Sequence, residues 1–277
     1  MSIRIVTDSS ADLTSLSTIP FGVAPLKIIT TKQEYVDDAT LNVDGMVNDL
    51  QAYTGKSSTS CPNVNDWLDA FGDAEEIFCV TITAALSGCY NAAVLAKQTY
   101  EEKFPDRRVF VLNSLSTGPE MALMLEKLQS LILAGNDFDT ICDEITAYRN
   151  KSGLMFVLSS IRNLANNGRV SPLLAKAIGL LGIRMVGIAS EKGELQLVHK
   201  SRGESKALDT VVQHLKTYPP LLGKIKIAHC QNEGAAQQLK SLLHKAFDKI
   251  EIEIYKCGGL CSFYAEKGGL LIGFEHA

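Results

Sequence analysis

The sequence lacks a run of about 18 uninterrupted apolar residues, the length that a membrane-spanning helix requires. Lys176 and Arg184 interrupt its most apolar stretch. The first residues also lack the basic segment and the long apolar run of a signal peptide. We therefore expect no integral membrane segment and a cytoplasmic location.

An excess of positive charge is missing as well. The 27 lysines and arginines are outnumbered by 31 aspartates and glutamates, the net charge is −4, and the basic residues are scattered. A clustered basic face for nucleic acid is therefore not expected. The seven cysteines are odd in number and irregularly spaced, which predicts reduced thiols in a cytosol rather than a disulfide framework.

Motifs for nucleotides and metals are also lacking. The segment after the first apolar run, Thr7-Asp8-Ser9-Ser10, contains no glycine, whereas dinucleotide sites and P-loops need glycines there. Two cysteine pairs, Cys257 with Cys261 and Cys61 with Cys89, do not provide four ligands at a known spacing. We expect free thiols and no metal.

What the chain does have is enough apolar material, 46% of 277 residues, for about two domains. In the first half, short apolar runs alternate with stretches of helical spacing, which predicts a parallel sheet with helical crossovers. The predicted strands are residues 3–6, 77–82 and 109–112. The predicted helices are residues 43–53, 91–104, 119–134 and 137–150.

The second half has a different pattern. Residues 183–189 and 195–199 flank Glu191-Lys192-Gly193-Glu194, which predicts a hairpin, and residues 224–228 and 251–255 alternate as half-exposed strands do. Helices are predicted at residues 205–218 and 233–247. The predicted fold class is α/β, with a parallel-sheet N-terminal domain at 1–152, an inserted segment at 21–60, and a mixed α+β C-terminal domain at 153–277.

Small hydroxyl-bearing residues follow each predicted strand of the first half. They are Thr7-Asp8-Ser9-Ser10, Thr83-Ala84-Ala85-Leu86-Ser87-Gly88 and Asn113-Ser114. Ligands bind beyond the carboxyl ends of strands in an open parallel sheet, so we expect one polar crevice there. Ser87 and Gly88 lie just before a predicted helix, where a carboxylate or phosphate is well placed, although helix capping alone also explains such residues.

A further hydroxyl cluster, Lys56-Ser57-Ser58-Thr59-Ser60-Cys61-Pro62, precedes an amphipathic stretch that begins at Asn63. Its composition favours a polar linker and helix cap over a ligand contact.

Five motifs, taken in this order, resemble the DegV family of bacterial fatty-acid-binding proteins over nearly the whole chain. They are Thr7-Asp8-Ser9-Ser10-Ala11-Asp12-Leu13, Thr59-Ser60-Cys61-Pro62, Leu86-Ser87-Gly88-Cys89-Tyr90-Asn91-Ala92-Ala93, Asn167-Gly168-Arg169-Val170-Ser171 and Lys200-Ser201-Arg202-Gly203. The resemblance implies a two-domain DegV-like fold that buries one long-chain fatty acid (C14 to C18, such as palmitate) in an apolar tunnel at the domain interface. It implies no catalytic residue and no catalytic cofactor. Some members of the family hand the bound acid to a separate fatty-acid kinase (DAK-type), so the resemblance implies such a kinase as a possible partner.

The resemblance also assigns roles to residues. It implies that the fatty-acid carboxylate is held by Thr59, Ser60 and Ser87. It implies a supporting role at the head group or crevice for Asp8, Ser9, Gly88, Arg169 and Tyr264. For Arg169, a structural role that braces a helix end is an equal alternative.

The chain departs from the family pattern at four positions. Cys61 stands where the family usually has glutamine, Cys89 where it has threonine, Asn113 where it has aspartate, and Tyr264 where it has histidine. A tyrosine can donate a hydrogen bond but carries no positive charge at pH 7. This last departure weakens the expectation that the bound acid is presented to a kinase more than it weakens the expectation of lipid binding.

Two other functions stay open. One is a regulatory or scaffold protein that has this fold without lipid. The other is a small-molecule acyl- or phosphoryl-transfer enzyme, which is disfavoured because Ser87 lies in Leu-Ser-Gly-Cys rather than in a Gly-x-Ser-x-Gly elbow.

Overall fold

The computed structural model describes residues 2–170 and 182–277. The strands are β1 (Ile3–Asp8), β2 (Phe21–Ala24), β3 (Lys27–Thr30), β4 (Glu34–Val36), β5 (Ser57–Ser60), β6 (Glu76–Thr81), β7 (Arg108–Asn113), β8 (Ser152–Leu158), β9 (Ile183–Ala189), β10 (Leu195–Arg202), β11 (Leu221–His229), β12 (Glu251–Lys256) and β13 (Leu270–His276). The helices are α1 (Val43–Ala52), α2 (Val64–Phe71), α3 (Cys89–Lys103), α4 (Pro119–Leu133), α5 (Phe138–Arg149), α6 (Arg162–Asn166), α7 (Glu204–Leu215), α8 (Glu233–Ala246) and α9 (Gly259–Ala265). Ser171 of the fourth motif and Lys176 lie outside the described residues.

The first sheet confirms the prediction for the first half of the chain. Its strand order is β2-β1-β6-β7, and every neighbouring pair is parallel. Every residue of β6 is buried, because α2, α3 and α4 pack around the sheet. The carboxyl ends of β1, β6 and β7 therefore meet at one edge, as their sequences predict.

The second sheet is mixed, as predicted for the second half. Its order is β10-β9-β8-β13-β11-β12, antiparallel throughout except for the β11–β12 pair. The predicted hairpin is the β9–β10 pair. One face of this sheet packs on α7 and α8, and the other contributes Leu154, Phe156 and Leu158 to a cluster with residues from the first half of the chain. The two central strands, β8 and β13, were not predicted, because a short continuous apolar run does not by itself distinguish a strand from a buried helix.

A third, small sheet of order β4-β3-β5 lies within the predicted inserted segment. The prediction of a polar linker before Asn63 was wrong: Ser57–Ser60 form β5, in which Thr59 is paired with Ile28 of β3. Composition could not show this, because the partner strand lies about thirty residues earlier. The predicted cap is confirmed, since the Asn63 side chain accepts from the backbone of α2 and the Asp66 side chain completes a capping box.

The first and third sheets take their strands from residues 3–113, and the six-stranded sheet takes its strands from residues 152–276. On this separation we keep the domains 1–152 and 153–277 as a proposal. In the described part of the chain, no helix combines the length and apolar character needed to cross a membrane.

Gly187 of β9 provides a test of how tightly the sheet face is packed. A Cβ at this position would lie 2.3 Å from Cζ of Phe156 and 2.4 Å from the backbone oxygen of Gln196. We expect Gly187→Ala to lower the free energy of unfolding by about 1–3 kcal/mol, because the ring and the neighbouring strand must both shift.

The matched control is Gly234→Ala in α8, where a Cβ meets no atom within 4 Å. This change should raise the free energy of unfolding by about 0.5–1 kcal/mol, since alanine favours a helix more than glycine does. Denaturant titration measures both values. Equal effects of the two substitutions would contradict the close packing at Gly187.

Candidate functional site

A cavity of about 290 Å³ lies where the three sheets meet, close to the lower end of the range for small-molecule sites (roughly 300–1,000 Å³). Most of its wall is apolar and comes from both halves of the chain. The apolar lining residues are Leu26, Ile82, Leu86, Leu154, Phe156, Leu158, Leu164, Leu195, Leu260, Ala265 and Leu271. We call this space the acyl cavity for its shape and lining.

Six of the eight residues singled out from the sequence line the acyl cavity. They are Thr59, Ser60, Ser87, Gly88, Arg169 and Tyr264. Among the lining residues in the described ranges, Arg169 carries the only charge. The cavity therefore combines a long apolar wall with a small set of hydroxyl groups and one cation.

Tyr264 and Thr59 are in direct contact, although they are 205 positions apart in the sequence. Their hydroxyl oxygens share a hydrogen bond of 2.8 Å. Burial raises the pKa of the Tyr264 phenol, so this group is neutral at pH 7 and has a proton to donate. The residue that replaces the family histidine thus joins the predicted carboxylate ligand Thr59 through one hydrogen bond.

Ser87 and Gly88 immediately precede α3, as the sequence predicts. The Ser87 hydroxyl accepts from the backbone N–H of Cys89 at 3.3 Å and donates to the Cys89 sulfur at 3.1 Å. Gly88 lies close to Cys61, since a Cβ on Gly88 would come within 3.1 Å of the Cys61 sulfur. Ser87 therefore accepts from the first backbone N–H of α3 and also lines the cavity.

Asp8 lies outside the cavity wall and supports it from behind. This fully buried carboxylate accepts from the backbone N–H of Ile82 at 2.8 Å and from the backbone N–H of Ser10 at 3.1 Å. The Ser10 hydroxyl also donates to it at 2.5 Å. Because Ile82 lines the cavity, Asp8 fixes this segment of the wall.

Ser9 has a similar indirect position. Its hydroxyl accepts from the backbone N–H of Leu26 at 3.0 Å, and Leu26 lines the cavity. Asp8 and Ser9 are thus placed to hold the backbone of the wall, while the six residues above face the interior.

Arg169 fits both of the roles weighed from the sequence. Its Nε donates to the backbone oxygen of Leu86 at 3.3 Å, and its Nη1 donates to the backbone oxygen of Asn167. These bonds brace the end of α6 against the loop before α3. The same guanidinium lines the cavity beside Ser87 and Tyr264.

Several lining residues were not found from the sequence. Thr117 and Cys261 lie close to each other on the wall, with 3.5 Å between hydroxyl oxygen and sulfur. β8 and α9 contribute three of the apolar lining leucines, Leu154, Leu158 and Leu260. No local signal distinguishes them from ordinary core residues, because only the fold brings them to one space.

The described residues contain no group of three or more His, Cys, Asp or Glu side chains arranged to hold a metal ion. All seven cysteines fall within the described ranges, and each is a free thiol.

Comparison with known proteins identifies the family. The model of the DegV family matches residues 2–276. A DegV domain-containing protein of Streptococcus pneumoniae is 43% identical over 279 residues, which is 99% of both chains. The chain belongs to the DegV family.

Two solved DegV-like structures are similar over their full length. A DegV family protein from Eubacterium eligens, loaded with heptadecanoic acid, is 41% identical, with a TM-score of 0.96 over 99% of this chain and 100% of that chain. The Fatty Acid Kinase (Fak) B3 protein of Streptococcus pneumoniae, loaded with linoleic acid, is 43% identical, with a TM-score of 0.97 over 100% of both chains. These matches confirm the DegV-like α/β fold expected from the motifs.

The buried position of Asp8 leads to a pH dependence. Burial raises the pKa of Asp8 from about 3.8 to about 6. Between these values the folded state binds this proton more tightly than the unfolded state, so this group's contribution to the free energy of unfolding falls as the pH rises from about 4 to about 6. This rise in the pKa of Asp8 corresponds to a change on the order of 3 kcal/mol in the free energy of unfolding.

Asp8→Asn removes the titrating carboxyl group. The amide N–H₂ of the new side chain cannot accept from the backbone N–H of Ile82, and the resulting loss of stability does not vary with pH. We expect the difference in free energy of unfolding between wild type and variant to change across pH 4–6 and to level off above and below it. Denaturant titrations at several pH values measure it. A difference in free energy of unfolding that stays constant over this pH range would contradict the raised pKa of Asp8.

Proposed function

We propose that this chain binds one long-chain fatty acid in the acyl cavity, with the carboxylate at Thr59, Ser60 and Ser87. The observation that carries the proposal is the composition of the cavity wall, which is apolar apart from a small group of hydroxyls and Arg169. Support comes from the two similar proteins whose structures hold heptadecanoic acid and linoleic acid.

The apolar wall provides most of the affinity. Each buried methylene contributes about 0.8 kcal/mol, so some fifteen methylenes contribute on the order of 12 kcal/mol before costs. Ordering a flexible chain and fixing the complex remove part of this gain. The remainder is enough for tight binding of a long acid and leaves a short acid weakly bound.

The polar end compensates the desolvation of the carboxylate. Hydroxyl groups and the Arg169 guanidinium are donors, and hydrogen bonds to an ionised acceptor are stronger than those between neutral groups. Ser87 donates to the Cys89 sulfur. Sulfur is a weak acceptor, so turning the hydroxyl toward a carboxylate costs little and gains a stronger bond.

The hydroxyls can be tested by the double substitution Thr59→Ala and Ser87→Ala. Because each hydrogen bond to a charged group contributes about 1.5–3 kcal/mol, we expect palmitate affinity to fall by about a hundredfold or more. Isothermal titration of delipidated protein measures the affinity, and native mass spectrometry measures the acid retained from expression.

The control is Ser130→Ala, which removes an exposed hydroxyl that bonds only within α4. It should leave the palmitate affinity within about twofold of wild type. Unchanged affinity in the double variant, with normal folding by circular dichroism, would contradict the head-group site. Absence of binding by the wild type would contradict the proposed function itself.

We further propose that the chain acts as a carrier without catalysis of its own and presents the bound acid to a fatty-acid kinase. The support is the likeness to the Fak B3 protein and the position of the carboxylate site beside Arg169. Tyr264 is neutral at pH 7, because burial raises its pKa. It therefore cannot add a second positive charge where a phosphoryl group would arrive.

Tyr264→His tests this part of the proposal. An imidazole titrates near pH 6.5 and provides the missing charge. With a purified bacterial fatty-acid kinase, ATP and palmitate, we expect the variant to support faster ADP formation than wild type below pH 7, and the gain to fade above it. Tyr264→Phe is the control and should show no gain. Equal rates for all three proteins would contradict a role of this position in presentation.

A further inference from the structure

A second, larger cavity adjoins the acyl cavity, and one residue lines both. This second space has a volume of about 930 Å³, and we call it the side groove. Leu154 of β8 lines the acyl cavity and the side groove alike. It is 5% exposed, so its side chain fills the position between the two spaces.

Leu154 lies at the end of the acyl cavity away from the polar group. α6 follows β8 directly, and the backbone N–H of Arg169 donates to the oxygen of Leu164 in α6 at 2.8 Å. The polar end is therefore near Leu158, the last residue of β8. A strand advances about 3.3 Å per residue, so Leu154 lies about 13 Å from Leu158 in the opposite direction.

The β9–β10 hairpin completes the partition beside Leu154. Its turn lies on the first half of the chain, since a Cβ on Gly193 would come within 2.1 Å of the Thr83 hydroxyl oxygen and 3.0 Å of Cα of Leu115. Along β10, Leu195 lines the acyl cavity and the next residue, Gln196, lines the side groove. The hairpin thus separates the two spaces on one side, and Leu154 separates them on the other.

The side groove can accept an apolar end only close to the partition. Next to Leu154 it is lined by Ile188 and Ala189 of β9. The rest of its wall carries charged side chains, including Glu120, Arg149 and Lys192. An acyl chain that passed Leu154 would find a short apolar section and then a polar, hydrated one.

We propose that Leu154 sets the upper limit of acyl-chain length in this protein. The methyl end of the fatty acid stops against the Leu154 side chain, and truncation of that side chain opens a path into the side groove. This inference rests on the proposed function and adds to it the residue that selects the substrate by length.

The proposal predicts how affinity depends on length. Each methylene that gains apolar contact raises the affinity about fourfold, whereas one that meets a closed wall or water adds nothing or lowers it. Wild-type affinity should therefore rise along the saturated series and then stop rising. The length at which it stops should move when Leu154 changes and should stay when a neighbouring leucine changes.

The experiment measures the affinity of delipidated full-length protein for saturated fatty acids from lauric to behenic acid, by competition with a fluorescent fatty acid. Leu154→Ala should raise the affinity for arachidic relative to palmitic acid about tenfold or more. Leu154→Phe should lower the affinity for stearic relative to myristic acid by about the same factor. The two variants shift the preference in opposite directions, so a general loosening of the fold cannot produce both results.

The matched control is Leu197→Ala on β10. Leu197 packs in the same cluster as Leu154 but lines neither space. It should leave both affinity ratios within about twofold of wild type. If Leu154→Ala does not fold, Leu154→Val takes its place, with a smaller shift in the same direction.

Unchanged ratios in the Leu154 variants, with normal binding of palmitate, would overturn the length limit and leave the proposed function intact. A shift of equal size in Leu197→Ala would overturn it as well. Loss of all fatty-acid binding by the wild type would instead contradict the proposed function.

Discussion

A cavity with an apolar wall can take up a long acid only if the carboxylate keeps hydrogen bonds equal to those that water provides. In the proposed binding mode that constraint falls on Thr59, Ser87 and Arg169, which line the same cavity. The apolar remainder of the wall makes binding strong but does not discriminate between head groups. The proposed selectivity for an acid therefore depends on a few polar atoms, and the proposed selectivity for length depends on the opposite end.

These polar atoms are held by contacts between distant parts of the chain. Thr59 is on a strand of the small sheet and Tyr264 is on α9, and their hydrogen bond joins the two. Ser87 is held at the start of α3 by Cys89, and the buried Asp8 at the end of β1 holds the backbone of Ile82 in the cavity wall. Such a network is rigid, because each buried polar group has a partner that is itself fixed by a sheet or helix.

Local sequence patterns were sufficient to predict the parallel sheet and the polar residues at its edge. β1, β6 and β7 are continuous apolar runs that end in small polar residues, and both features are visible within a few positions. The role of Thr59 was not visible in this way, because Ser57–Ser60 become a strand only by pairing with β3. β8 and β13 contribute Leu154, Phe156, Leu158 and Leu271 to the cavity wall, and each is a short apolar run whose periodicity does not separate a strand from a buried helix. The family resemblance supplied the proposed carboxylate ligands, while the apolar wall and the proposed partition at Leu154 depend on long-range packing that one sequence does not display.

The orientation of the bound acid is the central claim, and it can be measured directly. A crystal structure of the delipidated protein with palmitic acid that carries a bromine at its terminal carbon would locate both ends, since bromine is identified by anomalous scattering. The account predicts the carboxylate within hydrogen-bond distance of the Thr59 and Ser87 hydroxyls and the bromine beside Leu154. A bromine peak at the hydroxyl end, or an acid bound in a different cavity, would contradict it.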